Sequence, residues 1–491
     1  MKSAHRFLES VVDSCAAFGT RRALSLGALL SAVMLALAAC SSSSPPGSQS
    51  GPPGSTPGSQ TGSATDPAAK IDRPPIVFVH GNGDTAGLWL TTIWRFESNG
   101  WPSDRLHAID LPFPLARDDD SKAQPSRSSS TEAMRYLAAE VNKVLARTGA
   151  AKVILVGNSR GGYLIRNYVK NGGGAARVSH AVLGGTPNHG VWATDFRLSS
   201  EFNGAGPFLM ALNAPGADGN EVTAGIAWLT LRSDGNDKFA QPDGRWIGQP
   251  TMVTKVNTDS PGLKGADNRV LRGADHRETS YSAAAFEQTW RFITGSRPTT
   301  LEITVQSPIV LDGVVAGLAE NVVTNMPLTN AVLEVYRVNR ETGMRIGQPV
   351  HTRTIGTDGR WGPFEAKADT AYEFMLAAEG YAITHIYRAP FPRSSNIVNM
   401  RPVRISDADR AAGNVVTMVR PRGYFDLQRN QMSLDGKPLP GVEAGVAGTA
   451  SARLALEGPA RTVVAEFDGE RIAVRTWPAR FGHMVVAELH R

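Results

Sequence analysis

Between positions 75 and 295 the chain alternates short apolar runs with stretches whose apolar residues recur at helical spacing. Pro75-Ile76-Val77-Phe78-Val79-His80-Gly81 is a nearly continuous apolar run closed by a glycine, and Lys152-Val153-Ile154-Leu155-Val156-Gly157 repeats it. Runs of this kind are expected of parallel strands buried on both faces. Between them Ser129 stands three positions before Glu132, the spacing of a capping box, and Met134, Leu137, Val141, Val144 and Leu145 then share one helical face before Gly149. A further strand begins near Val178, Ile226-Ala227-Trp228-Leu229-Thr230-Leu231 reads as another, and 282–293 is helix-like. This alternation predicts an α/β fold on a mostly parallel sheet flanked by helices.

After Gly295 the texture changes to strand-like runs separated by Asp312-Gly313, Asp358-Gly359, Asp435-Gly436 and Asp468-Gly469. Turn dipeptides at such intervals predict an all-β region of sandwich type. Val463 to Phe467 and Arg471 to Val474 flank one of them as a hairpin. One sandwich is expected over about 301–400, and the strands after about 415 either complete it or form a second lobe. The expected domains are therefore 71–297, catalytic in type, and 298–491, a β-sandwich region of one or two lobes.

The first seventy residues have neither pattern. Arg21 and Arg22 precede an apolar, small-residue run too short for a comfortable membrane span, as in a signal peptide, and the paired arginines leave open Sec or twin-arginine export. The run ends Leu37-Ala38-Ala39-Cys40, which resembles the lipobox of bacterial lipoproteins. That resemblance implies a signal segment over 1–40, acylation of Cys40 and a lipid anchor in the bacterial cell envelope, at the outer membrane. The alternatives are an ordinary signal peptide with secretion, or a retained membrane anchor. Residues 41–70 are Ser, Gly, Pro, Gln and Thr with almost no apolar side chains, the composition of a disordered tether.

Length and composition narrow the picture further. At 491 residues two or three domains are expected. A net charge of +6 without a dense basic block argues against a nucleic-acid partner. The two cysteines, Cys15 and Cys40, both precede the folded region, which excludes a disulfide framework there. No Cys/His cluster offers a metal site, the run Asp118-Asp119-Asp120 reads as a solvated loop, and no cofactor is expected.

The candidate chemistry sits where the second strand runs into Gly157-Asn158-Ser159-Arg160-Gly161-Gly162 and then a helix from about Tyr163 to Lys170. G-x-S-x-G in this setting is a nucleophile elbow. The serine occupies a strained turn, Gly157 and Gly161 remove clashes around it, and the N–H of Arg160 opens a helix where negative charge is favoured. Ser159 is thus the candidate nucleophile, and Arg160 a candidate oxyanion donor.

With Asn99-Gly100-Trp101-Pro102 and Ala108-Ile109-Asp110, the stretch from Pro75 to about Gly295 resembles the α/β-hydrolase lipases and esterases, small secreted bacterial lipases among them. The resemblance makes His80-Gly81-Asn82-Gly83 the oxyanion loop, with the N–H of Asn82 as second donor and His80 as a loop-shaping residue. The fold's chain order is Ser, Asp, His. The acid is then expected in the loop Arg232-Ser233-Asp234-Gly235-Asn236-Asp237, where the resemblance falls on Asp237; Asp234 is the second candidate and Asp195 a third. His276 is the histidine between that loop and the domain's end, and hence the candidate base. His189 is the competitor, read as shaping its loop. The stretch 191–224, with Phe202, Phe208, Leu209, Met210 and Leu212, is either a lid or a packed connector.

In the C-terminal region, Thr357-Asp358-Gly359-Arg360-Trp361-Gly362-Pro363-Phe364, Tyr372-Glu373-Phe374 and Ile386-Tyr387-Arg388-Ala389-Pro390-Phe391 resemble an archaeal long-chain lipase with a C-terminal lipid-binding β-domain. That lipase has its aspartate after the strand following the nucleophile helix, where this chain has Gly184-Gly185-Thr186, so either the acid has migrated to Asp237 or one strand is misplaced. Tyr372, Phe374, Tyr387 and Phe391 either fill a core or line a lipid-facing surface. The expected function is exported ester hydrolysis: a lipase on acylglycerols, or an esterase on short-chain, polyester or phenolic esters. A surface lipid- or polymer-binding protein with an inactive hydrolase domain is the alternative of another class. With a neutral histidine as base, activity should fall below about pH 6.5.

Overall fold

Strand β1, Ile76–Val79, is wholly buried, and alternate side chains point to opposite cores. β1 pairs in parallel with β2, Leu106–Ile109, and with β3, Val153–Asn158; β4, Val178–Gly184, β5, Ala227–Arg232, and β6, Asp267–Val270, extend the sheet in the order β2-β1-β3-β4-β5-β6. The computed structural model describes residues 73–246 and 249–491, and 73–491 form one compact unit. Cys40, the signal segment and the tether lie outside the described residues.

Helices α1, Leu90–Ser98, and α6, Ala283–Thr294, pack on one face of the sheet; α2, Ser130–Thr148, and α3, Arg160–Asn171, pack on the other. α2 starts as its sequence predicts, with the Ser129 and Glu132 capping box formed, and ends on Gly149 at φ 68°. The α1 and α6 face is an aromatic layer in which Phe78, Trp89, Phe96, Trp101, Phe286 and Trp290 meet mostly edge to face.

That layer does not end at the hydrolase fold. Trp94 packs edge-on against Phe391 and His490 of the C-terminal region, and the same buried cluster runs on through Leu311, Trp361 and Phe374. There a seven-stranded sheet forms in the order His351–Thr354, Val332–Val338, Ala371–Ala377, Ile383–Arg388, His483–Glu488, Asn414–Val419 and Ser451–Leu456. The last strand of the chain lies parallel between Ile383–Arg388 and Asn414–Val419. The strands after 415 therefore complete the first sheet, and they add a small sheet of Met432–Leu434, Thr462–Phe467 and Glu470–Arg475. The expected hairpin is present, with Asp468 and Gly469 at φ 45° and 84°. Tyr372, Phe374, Tyr387 and Phe391 are all buried, which sets aside the reading that they face lipid.

Candidate active site

The elbow is built by close approach. Ser159 has φ 51° and ψ −122°, a strained conformation for a side-chain-bearing residue. A Cβ on Gly161 would lie 2.4 Å from the Val79 carbonyl oxygen, one on Gly157 2.9 Å from the Gly161 carbonyl carbon, and one on Gly162 2.0 Å from Thr186 Oγ1. Only glycine permits β3, β1 and α3 to meet this tightly. The Ser159 N–H donates to Gly184 O at 2.9 Å, which ties the turn to β4. Arg160 opens α3, so its N–H has no partner within the helix.

The 80–84 loop lies against Ser159, since a Cβ on Gly81 would fall 3.1 Å from Ser159 Cβ. His80 is fully buried; Leu111 N–H donates to its Nε2 at 3.1 Å and its Nδ1 lies 2.8 Å from Gly81 O. Both nitrogens are occupied in shaping the loop, and burial pushes its pKa below the usual range. Gly83 N–H donates to Pro114 O at 3.1 Å, and Ala116 N–H to Asn82 Oδ1 at 2.7 Å.

Of the predicted acid and base candidates, the fold brings Asp237 and His276 together. Asp237 follows β5, and its Oδ2 is 2.7 Å from His276 Nδ1, with the imidazole 4% exposed. Nδ1–H is then the donor, leaving Nε2 as the nitrogen available to a hydroxyl. Asn158 Nδ2 donates to His276 O at 3.3 Å and to Ser280 Oγ at 2.7 Å, linking the residue before Ser159 to the base loop. Asp234 Oδ1 accepts from Gly273 N–H at 2.9 Å and so joins the two loops without meeting the imidazole. Asp195 is exposed, and His189 pairs with Glu221 at 3.0 Å. No room exists for an acid after β4: Gly185 has φ 57°, and a Cβ there would lie 2.5 Å from His276 O.

Sequence reasoning missed the charged frame around these residues. The Arg160 guanidinium, fully buried, donates from Nε to Glu201 Oε1 at 2.6 Å and from Nη2 to Oε2 at 2.9 Å; Nη1 reaches Pro114 O at 3.1 Å and Ser128 Oγ at 3.0 Å. Glu201 lies in the 191–224 stretch, where Phe202 and Phe208 also pack on Tyr163 and Leu209 and Leu212 are buried. Residues 200–213 are thus a packed connector, and the exposed tip carries Phe196 and Leu198. A row of rings leads outward from the base: Phe239 meets His276 edge-on at 4.6 Å, Trp246 at 6.0 Å, then Trp192 stacked on Trp246 at 5.8 Å, then Phe196 at 5.9 Å. Arg277 pairs with Asp84 of the 80–84 loop. The two ion pairs, Arg160 with Glu201 and Arg277 with Asp84, join residues 41 and 193 apart in the chain, and no local pattern announces them. Near the Asp run, Asp120 takes Ser130 N–H and Oγ at 2.7 and 2.6 Å, serving the start of α2.

Compared with known proteins, residues 74–307 match the family described as alpha/beta hydrolase fold, and residues 308–405 match the lipase C-terminal domain. Among solved structures the chain is similar to Aspergillus fumigatus lipase B, at 16% identity over 48% of this chain and 56% of that one, TM-score 0.33. It is also similar to Bacillus licheniformis lipase BlEst2, at 19% identity over 46% and 90% of the two chains, TM-score 0.30. Paleococcus ferrophilus monoacylglycerol lipase gives 14% identity over 45% and 96%, TM-score 0.31.

Proposed function

Because the chain belongs to the α/β-hydrolase lipases and esterases and carries a lipase C-terminal domain, we propose that it is an exported serine ester hydrolase, a lipase acting on acylglycerol esters. The observation that carries the proposal is the 2.7 Å pair of Asp237 and His276, the latter on a loop bonded through Asn158 to the strained turn of Ser159. His276 Nε2 takes the Ser159 proton as Oγ bonds to the ester carbonyl carbon, and the oxyanion accepts from the N–H groups of Asn82 and Arg160. The tetrahedral species collapses, the alkoxide leaves with the proton from His276, and an acyl-enzyme remains. Water then attacks the acyl carbon, His276 takes its proton and returns it to Ser159, and the carboxylic acid departs. Asp237 holds the imidazole tautomer throughout. Acylation of Cys40 and an envelope anchor, with 41–70 as tether, belong to the same proposal.

The ring row from His276 to Phe196 favours a second reading, an esterase on phenolic or aromatic polyester substrates, whose flat groups stack on such surfaces. Hydrolysis of p-nitrophenyl esters from acetate to palmitate, beside a methyl hydroxycinnamate, separates the two. Rates rising toward long chains and abolished by Ser159→Ala support the lipase. Preference for the cinnamate supports the second, and no turnover of any ester removes both.

A further inference from the structure

The loop that carries His276 is not held by the hydrolase fold alone. Asp275, one residue earlier, is fully buried. Its Oδ1 accepts from the N–H groups of Arg277 and Glu278, both at 2.8 Å, which folds the chain into α5, Glu278–Tyr281. Its Oδ2 accepts from Tyr424 N–H at 2.7 Å and from Arg420 Nη1 at 3.2 Å, both groups of the C-terminal lobe. Arg420 Nη2 also donates to Glu278 Oε1 at 2.7 Å and to Tyr281 Oη at 2.8 Å, and Arg429 Nη2 donates to Glu278 Oε2 at 2.9 Å. One buried arginine thus ties together three residues of the segment around the base.

The acid loop is held by the same lobe. Asn236 Nδ2 donates to Asp426 Oδ2 at 3.1 Å, and Lys238 Nζ to Gly448 O at 3.1 Å, so both neighbours of Asp237 are anchored beyond position 420. Acid and base loops also touch through Asn236 Nδ2 and Gly273 O at 3.0 Å. Every one of these anchors lies after residue 405, where the lipase C-terminal match stops.

We propose that residues 414–491 are a working part of the catalytic centre, with Arg420 as the positioning residue that fixes the His276 loop through Asp275 and Glu278. The proposal rests on the acyl-transfer reading above. Precision is the reason for such a brace: a shift of about 1 Å in a reacting group costs about 100-fold in rate. Without Arg420 only Arg429 offsets the repulsion between two buried carboxylates one and two residues from the imidazole, and Asp275 must protonate or its loop must open to hydrate it.

The test uses the chain from 71 to 491 in wild-type, Ser159→Ala, Arg420→Ala and Arg420→Lys forms. Soluble p-nitrophenyl butyrate gives kcat and KM, a p-nitrophenyl phosphonate titrates the nucleophile, and near-ultraviolet circular dichroism with thermal melting reports folding. Arg420→Ala should lower kcat by about 100-fold with KM within about two-fold, slow phosphonate inactivation in step, and keep the native spectrum. Arg420→Lys, which keeps one charge without the fork, should recover about ten-fold of that loss. A folded Arg420→Ala chain with kcat within about three-fold of wild type overturns the proposal. Should that variant fail to fold, Arg420→Lys decides alone: lowered kcat per folded molecule supports positioning, and loss only in proportion to unfolded chain overturns it. A wild-type chain that neither turns over nor takes the phosphonate at Ser159 sinks the acyl-transfer reading itself, and the proposal with it.

Discussion

Arg160 contributes to the site through both ends of the residue. Its N–H opens α3 beside Ser159, and its guanidinium shares the Pro114 carbonyl with Gly83 N–H, next to the proposed second donor, Asn82. In the proposed mechanism the side chain thus bears on the spacing between the Asn82 and Arg160 N–H groups. Burial pushes the Glu201 carboxyl above its usual range, and the arginine opposes that push. Arg160→Met should cost about 3–5 kcal/mol, because it strands a buried carboxylate. Adding Glu201→Met should restore most of that stability while kcat stays low, since the Pro114 contact is still lost. Urea unfolding and steady-state kinetics on the two variants check this; a double variant with wild-type kcat would show the arginine to be structural only. Asp237 Oδ2 meets His276 Nδ1, while its Oδ1 accepts from Phe239 N–H at 2.9 Å. Asp237→Asn presents the wrong tautomer and should lower kcat by about 10⁴-fold with the fold intact, measured on the same ester.

Among the elements, β4 and the turn after it decide where the acid can stand. Gly185 has a left-handed φ, and its missing side chain leaves room for the His276 backbone. Gly185→Ala should destabilise by about 1–3 kcal/mol from φ alone and also displace the base loop, so that activity falls further than the melting temperature explains. Much of this architecture was legible. β1, β3 and β5 announce themselves as apolar runs, α2 by its capping box, and the elbow by its glycines, because each depends on neighbours in sequence. β6 was not, since Asp267-Asn268-Arg269-Val270 is a largely exposed edge strand without an apolar face. α1 was missed as well: it has no side-chain N-cap and crowds Thr91, Thr92 and Ile93 at its start, a pattern that reads equally as strand. Its helical state is decided by packing of Trp94 and Phe96 against residues far along the chain. His276 followed from chain order and Asp237 from family resemblance, whereas Arg420 lies 145 residues from Asp275 and only the folded chain joins them.

At the scale of the whole molecule, hydrolase fold and β-region share one core, so acid should unfold them together. Burial depresses the pKa of His80, His180, His385, His483 and His490, and takes His107 to about 4 with help from Arg147. An unfolded chain protonates these imidazoles near pH 6.5, which the folded chain resists, so their contribution is present above that pH and is lost as pH falls below it. A buried group such as His80 or His490 costs about 1.4 kcal/mol per pH unit within its window, and the half-buried His180 and His483 cost less because solvent screens them. Glu97, Glu201 and Glu470, raised by burial, and Asp275, raised to about 6, work in the opposite direction, because the folded chain binds their protons first. They are fewer than the histidines, and Asp275 begins to take its proton only near pH 6, so the histidine term leads on acidification. The melting temperature should fall from pH 7.5 to pH 5 in a single transition. His490 offers the sharpest check, because its ring is buried between Trp94 and Phe391 and its Nε2 has no hydrogen-bond partner among the described residues. His490→Leu removes one proton from the unfolded side, so the slope of unfolding free energy against pH should drop by about one proton below pH 6.5. A melting temperature that rises on acidification would mean that the buried carboxylates outweigh the imidazoles.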